Sequence, residues 1–357
     1  MGMPILNIAF KSAAKTAIKR GSRGTLMLIL RGAVPNANPL TITDIGDIPS
    51  TVSAANKKYI EIALKGNEYA PLKVIAYFIA ASDGDVNTAL DWAKTQKIDF
   101  VVMPTAETEG AVEIIKAWVI AQKSFRNEVR AVLPNCRADS EYIVNCTGEV
   151  TVGNETYSPE VLAVRVAGII CGTDLAHSIT YATIPEATDC VRKTQSELDE
   201  AIDKGELVVF FDGEKVKIAR GVNSLTTLSD TKGSEYQKIK NVETMTVIKT
   251  DIRRVCEDTY IGKYPNSYSN RCLLLAAIED YFDTLIEDGA ISSREVTFNI
   301  PAIKAAMKKA GIDYSNMTEQ EIKEYDFGTG VYLRAKLRML DAIEDIDLSI
   351  ETTGGVA

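Results

Sequence analysis

Two short apolar runs constrain this chain more than any other feature. IDFVVMP and EVRAVLP (residues 98–104 and 128–134) read as strands whose centres are apolar on consecutive positions. Such strands must be covered on both faces, which is the situation of a largely parallel sheet flanked by helices. The segments around them supply those helices. DVNTALDWAKTQK has helical spacing, and TEGAVEIIKAWVIAQKSF places Ile115, Trp118 and Val119 on one face. Upstream, TLMLILRG and PLKVIAYFIA read as further strands, with STVSAANKKYIEIALKG as a helix between them. The fold class is therefore α/β.

The pattern then changes. SPEVLAVRVAGIICG predicts a buried helix ending at Gly172, and TQSELDEAIDKG a helix with its own Thr/Ser start and Gly205 stop. ELVVFFDGEKVKIARGV predicts a hairpin turning at Asp212-Gly213. The polar stretch SDTKGSEYQK is the strongest boundary signal. Beyond it, NRCLLLAAIEDYFDTLIEDG sets Leu274, Ala277, Ile278, Tyr281, Phe282, Leu285 and Ile286 on one helical face. VTFNI is a short strand, PAIKAAMKKAG a helix with Pro301 in its first turn, TEQE a capping box, and GVYLRAKLRML a strand.

Composition excludes several classes. With 40 basic and 49 acidic residues the net charge is -9, so no basic face for nucleic acid is expected. No stretch reads as a secretory signal or a membrane span, so neither nucleic acid nor membrane is expected as a partner. The six cysteines lack any C-x-x-C pair and read as buried free thiols of a chain folded in a cytoplasm.

Catalytic motifs do not emerge. His177 is the single histidine, which leaves no multi-histidine metal site and one ring for any acid–base relay. There is no G-x-S-x-G elbow, no phosphate-binding loop and no dinucleotide fingerprint. DGDVNT opens like a calcium loop but has Thr88 where glycine is needed and Lys94 where a bidentate Glu should stand, so Asp85 is read as a helix cap. The acid pairs Glu279/Asp280 and Glu287/Asp288 read as solvated helix faces. Arg253, Arg254, Lys304, Lys308 and Lys309 are the basic groups that could meet an acidic partner. No catalytic, metal or cofactor residue is expected.

Both ends of the chain carry a strand pattern. Leu6, Ile8 and Phe10 alternate with Asn7, Ala9 and Lys11; Ile346, Leu348 and Ile350 alternate with Asp345, Asp347, Ser349 and Glu351. Such a strand needs a sheet edge and a surface to cover, either in its own domain or by adding to a neighbouring chain. One at each end suits an open head-to-tail assembly. A cytosolic α/β enzyme with a helical second domain, or a closed homo-oligomeric scaffold, would be the competing readings.

IARGVNSLTT, YIGKYPNSYSNR, IEDYFDTLIEDGAI and the closing LRAKLRMLDAIEDIDLSIE, in this order, resemble the tail sheath proteins of contractile phages and R-type bacteriocins. The likeness runs essentially end to end and is nearest to the short sheaths of Gram-positive phage tails and diffocin-like particles. It implies a non-enzymatic subunit without cofactor. Such subunits stack as hexameric rings around an inner tube, and contraction drives the tube through a target envelope. It implies a subtilisin-like, non-catalytic α/β middle domain, a mixed α+β C-terminal domain near the tube, and extended arms that add strands to neighbouring subunits. The expected boundaries are an arm over 1–23, a strand-containing region over 24–84, the α/β domain over 85–230, the inner domain over 231–342 and a second arm over 343–357. Leu6, Ile8 and Phe10 would form the N-arm strand, and Ile346, Leu348 and Ile350 the C-arm strand. Arg253, Arg254, Lys304, Lys308 and Lys309 are the candidates for facing the tube. The implied partners are the chain itself, the inner tail tube protein, and baseplate and tail terminator proteins. Assembly would take place in a bacterial cytoplasm, ending in the tail of a virion or tailocin.

Overall fold

The structure is a computed structural model and describes residues 23–82, 84–122, 128–326 and 328–352; the expected N-arm strand of Leu6, Ile8 and Phe10 lies outside them. The described residues form two compact units, one of residues 23–247 with 340–352 and one of residues 248–339.

The larger unit contains β1 (Thr25–Arg31), β2 (Leu40–Ile42), α1 (Ala54–Leu64), β3 (Lys73–Ile79), α2 (Val86–Ala93), β4 (Phe100–Val102), α3 (Val112–Gln122), β5 (Arg130–Pro134) and β6 (Ile143–Cys146). There follow β7 (Val150–Val152), β8 (Glu155–Tyr157), α4 (Pro159–Cys171), β9 (Asp189–Cys190), α5 (Gln195–Asp203), β10 (Glu206–Leu207), β11 (Val209–Phe211) and β12 (Val216–Ile218). Seven strands form one sheet in the order β10-β6-β5-β4-β1-β3-β2, parallel except for the edge strand β2. The sheet draws strands from both the 24–84 and the 85–230 segments.

Strand β1 shows why the apolar runs had to be continuous. Leu26, Leu28 and Leu30 enter a core shared with α1 and α4, while Met27 and Ile29 enter a second core shared with α2 and α3. Successive side chains point to opposite faces, and both faces are covered. Helix α4 is buried almost all round, as its apolar composition predicts. Its Gly168 allows a close approach to α1: a Cβ there would sit 2.3 Å from the carbonyl oxygen of Ala63. The Asp212-Gly213 turn joins β11 to β12 as expected, with Asp212 accepting from the amides of Glu214 and Lys215. Asp85 caps α2 by accepting from the amide of Asn87.

Helix α6 (Ile239–Val255) follows, and the division between the units falls within it, after Val247. The sequence reading placed no helix there. The helix continues into a π-helical turn over Cys256–Tyr260. The smaller unit holds α7 (Tyr268–Glu287), β13 (Ile291–Phe298), α8 (Ile300–Lys309), α9 (Glu319–Glu324) and β14 (Leu333–Met339). The capping box at Thr318 and the N-terminal position of Pro301 are found as predicted. The strand expected at VTFNI begins earlier, at Ile291, and pairs with β14 in an antiparallel two-stranded sheet. Ala277, Ile278, Tyr281, Phe282 and Leu285 of α7 are buried. The buried Tyr281 hydroxyl donates to Asp251 Oδ2 at 3.0 Å.

Candidate assembly surfaces

The C-terminal segment leaves β14 at Leu340, and its first residues are held on the larger unit by a set of charged contacts. Lys238 Nζ and Asn241 Nδ2 reach the Asp341 carboxylate at 2.8 and 2.9 Å. The Lys240 ammonium donates to the carbonyl oxygen of Leu340. Glu344 accepts from Ser178 Oγ at 2.9 Å, Thr180 Oγ1 at 2.7 Å and Arg220 Nε at 3.1 Å, and Arg220 Nη2 reaches Asp345 at 2.6 Å. These contacts alter the groups that make them. The Asp345 and Glu344 hydrogen bonds raise the pKa of Arg220, against the effect of burial. Burial lowers the pKa of Lys240 despite the nearby Asp341 carboxylate. Burial pushes the Asp341 carboxyl up, but its bonds to Lys238 and Asn241 outweigh this and hold it below its ordinary value.

Beyond this clasp the segment has no regular structure through residue 352 and pairs with no strand among the described residues. Its apolar side chains face solvent: Ile346 is 80% exposed, Leu348 73% and Ile350 76%, with Ile343 at 87%. Four large aliphatic side chains within eight residues form an apolar stripe that none of the described residues covers.

The β13–β14 sheet is the second open surface. It has only two strands, so each has a free edge among the described residues. Two strands alone are marginal in water, and packing of β13 on α7 supports this pair. On β14, Leu333, Leu337 and Met339 are half-buried and alternate with exposed Arg334, Lys336 and Arg338. A groove of about 750 Å³ borders β14, with Leu274 and Ile278 of α7, Tyr260, Ile261, Val331 and Leu333 among its walls, and no β13 residue lines it.

The other residues singled out in the sequence are dispersed. Arg254 pairs with Asp251 at 3.2 Å, and Arg253 is half-buried on α6. Lys304 lies 5.8 Å from the centre of the Tyr314 ring, while Lys308 and Lys309 are exposed in the last turn of α8. His177 is exposed on the larger unit, its Nδ1 lying 3.1 Å from Glu68 Oε2 and 3.6 Å from Asp174 Oδ1. At the C-terminal ends of the parallel strands, where open α/β sheets hold ligands, the charged groups are engaged with loops. Arg31 Nε donates to Glu109 at 2.6 Å and Arg31 Nη1 to the Ala80 carbonyl at 2.7 Å. Glu160 accepts from the amides of Glu107 and Thr108.

At the opposite ends of the strands lies a charged cluster that no sequence pattern announced. Glu243 of α6 is bound by Arg130 Nε at 2.6 Å and by Arg23 Nη2 at 3.1 Å, and both Arg130 and Glu243 are buried. Asp99 accepts from the amides of Gly24 and Thr25, and the Arg130 guanidinium lies 4.7 Å from the Phe100 ring centre. Its role is to fix the start of α6 against β1, β4 and β5. No helix among the described residues is long and apolar enough to cross a membrane.

Comparison with known proteins bears on these surfaces. Residues 79–224 match the phage tail sheath protein central domain, and residues 231–353 match the phage tail sheath C-terminal domain. The tail sheath protein of Clostridium phage phiCD119 is 34% identical over 356 residues, covering 98% of this chain and 99% of that one. The helical sheath of the anti-feeding prophage in its contracted state superposes with a TM-score of 0.72 at 15% identity, covering 98% of this chain and 99% of that chain. The crystal structure of a sheath tail protein from Desulfitobacterium hafniense gives a TM-score of 0.69 at 17% identity, over 82% of this chain and 93% of that one.

Proposed function

The chain belongs to the phage tail sheath family, and from that premise we propose how it works as a structural subunit of a contractile tail sheath. Subunits stack as hexameric rings around an inner tail tube, and shortening of this sheath drives the tube through a target envelope. The subunit is mechanical and non-enzymatic, and it meets baseplate and terminator proteins at the ends of the sheath. It is assembled in the bacterial cytoplasm before release as part of a virion-type particle.

The observation that carries this reading is the clasped, unpaired C-terminal arm. Ile346, Leu348 and Ile350 stand in solvent on a segment without regular structure. The β13–β14 sheet leaves its edges free among the described residues. Adding the arm of one subunit to the sheet of another satisfies both. Burying three such aliphatic side chains gives an upper figure of about 5–9 kcal/mol. Ordering the arm consumes much of this at about 1–2 kcal/mol per residue. A single link is therefore weak, and a lattice of them is strong. The N-terminal segment, with Leu6, Ile8 and Phe10, is assigned the same role toward another neighbour. Arg253, Arg254, Lys304, Lys308 and Lys309 remain the candidates for contact with the tube.

The test is electron microscopy of the full-length chain, alone and with the tube protein. Ile346→Asp with Leu348→Asp is expected to abolish tubes while far-UV circular dichroism stays that of the parent. Normal tubes from this variant would refute the arm reading.

A further inference from the structure

Resting on the strand addition proposed above, we infer that the free edge of β14 receives the C-terminal arm of a second copy and that Arg334 and Arg338 select it by pairing with Asp347 and Glu351. The two segments are matched on both faces. Strand β14 alternates half-buried Leu333, Leu337 and Met339 with exposed Arg334, Lys336 and Arg338. The arm alternates Ile346, Leu348 and Ile350 with Asp347, Ser349 and Glu351. Laid side by side as neighbouring strands, their apolar sets fall on one face and their opposite charges on the other.

The charges also match in spacing and in availability. Arg334 and Arg338 are four residues apart, as are Asp347 and Glu351, a separation of about 13 Å in extended chain. Among the described residues none of these four groups has an ion-pair partner. The residues between and before them are already engaged or neutral. Lys336 pairs with Glu295 across the sheet at 3.2 Å and would face Ser349, while Asp345 is held by Arg220 in the clasp. Four unpaired charges, two on each segment and equally spaced, are thus what remains on the polar faces.

The alternative edge fits poorly. The side chains of β13 on the same face as Arg334 and Arg338 are Ser293, Glu295 and Thr297. An acidic arm placed there would meet a carboxylate and no cation, and like charges on adjacent strands repel. The apolar face fits as well. The groove at the start of β14, walled by Leu333, Leu274, Ile278 and Ile261 and by no residue of β13, offers apolar surface to the end of the arm that lies beside Leu333.

Charge reversal on the full-length chain tests this. Arg334→Glu with Arg338→Glu, and separately Asp347→Lys with Glu351→Lys, should each raise the concentration needed for assembly about tenfold or more, because two cross-strand attractions become repulsions. The chain carrying all four substitutions should assemble within about threefold of the parent, since the pairs are restored with opposite sign. The neutral Arg334→Gln with Arg338→Gln should fall between parent and reversal, which separates lost pairing from misfolding. Sedimentation and electron microscopy read assembly, and circular dichroism checks the fold. Parent-like assembly of the β14 reversal, or no recovery in the fourfold variant, would overturn the assignment. If Ile346→Asp with Leu348→Asp still abolished tubes in that case, strand addition would stand and only its edge would be wrong. Tubes from all variants would overturn both.

Discussion

The two sheets of this chain are built on opposite terms. In the seven-stranded sheet, β1 is buried along almost its whole length and has a hydrogen-bonded neighbour on each side. In the two-stranded sheet, β14 is exposed or half-exposed at every position and, among the described residues, has a neighbour on one side only. One sheet is completed by the chain that encodes it. On the strand addition proposed above, the other would reach its full complement of hydrogen bonds when a second chain adds its arm.

The largest expected effect attacks the completed sheet. Glu243→Ala takes from the buried Arg130 its close carboxylate, leaving Asp99 at 3.9 Å, and from the partly buried Arg23 its ion-pair partner; removing one partner of a buried pair costs about 3–5 kcal/mol. Thermal melts of the unassembled chain should show this loss in the larger unit. Next, Leu28→Ala in β1 should cost about 2–5 kcal/mol in the same assay, since the side chain is fully buried. Its counterpart Leu337→Ala in β14 should change the unassembled chain by less than about 1 kcal/mol yet weaken assembly, measured by sedimentation. Equal effects of the two leucine changes on monomer stability would break the contrast between the sheets.

The smallest expected effect concerns the clasp. Arg220→Ala removes the partner of Glu344 and Asp345, a half-exposed site where ion pairs contribute about 0–1 kcal/mol. The readout is faster hydrogen exchange at residues 341–346 with an unchanged melting temperature. Acid should act in the same direction. The folded pKa of Asp341 lies below its ordinary value of 3.8, so its contribution is present above that value and lost as pH falls through the lower folded pKa. The facing groups are Lys238, Asn241 and Lys240. Exchange at the arm root should therefore be flat from neutral pH to about pH 4, once corrected for intrinsic rates, and rise below it.

Much of this was legible in the sequence, and the reasons differ by region. Strands β1, β3, β4 and β5 announce themselves because coverage on two faces demands consecutive apolar residues. Helix α7 is legible because one face is buried and the other is not. Helix α6 was not, because its buried positions include Asn241, Glu243, Thr244, Thr246 and Asp251. Glu243 is paired with distant arginines, Asn241 Nδ2 donates to Asp341, Tyr281 donates to Asp251, and Thr244 and Thr246 donate to the carbonyls one turn back. Apolar periodicity cannot report a helix whose contacts are polar. The arm's alternation was visible. The clasp was invisible because Arg220 and Glu344 lie 124 residues apart and no spacing rule connects them.

The position of that clasp sets the mechanics of the joint. Asp345 is bound to Arg220, and the aliphatic stripe begins at the next residue, Ile346. If the stripe is paired on a neighbour, the free link between the two subunits is one or two residues, about 3–7 Å of chain. A link that short allows one body to turn about the other through large angles but lets their centres part hardly at all. Such a joint would be a pivot rather than a spring, and a lattice of such pivots would change length by rotating its members.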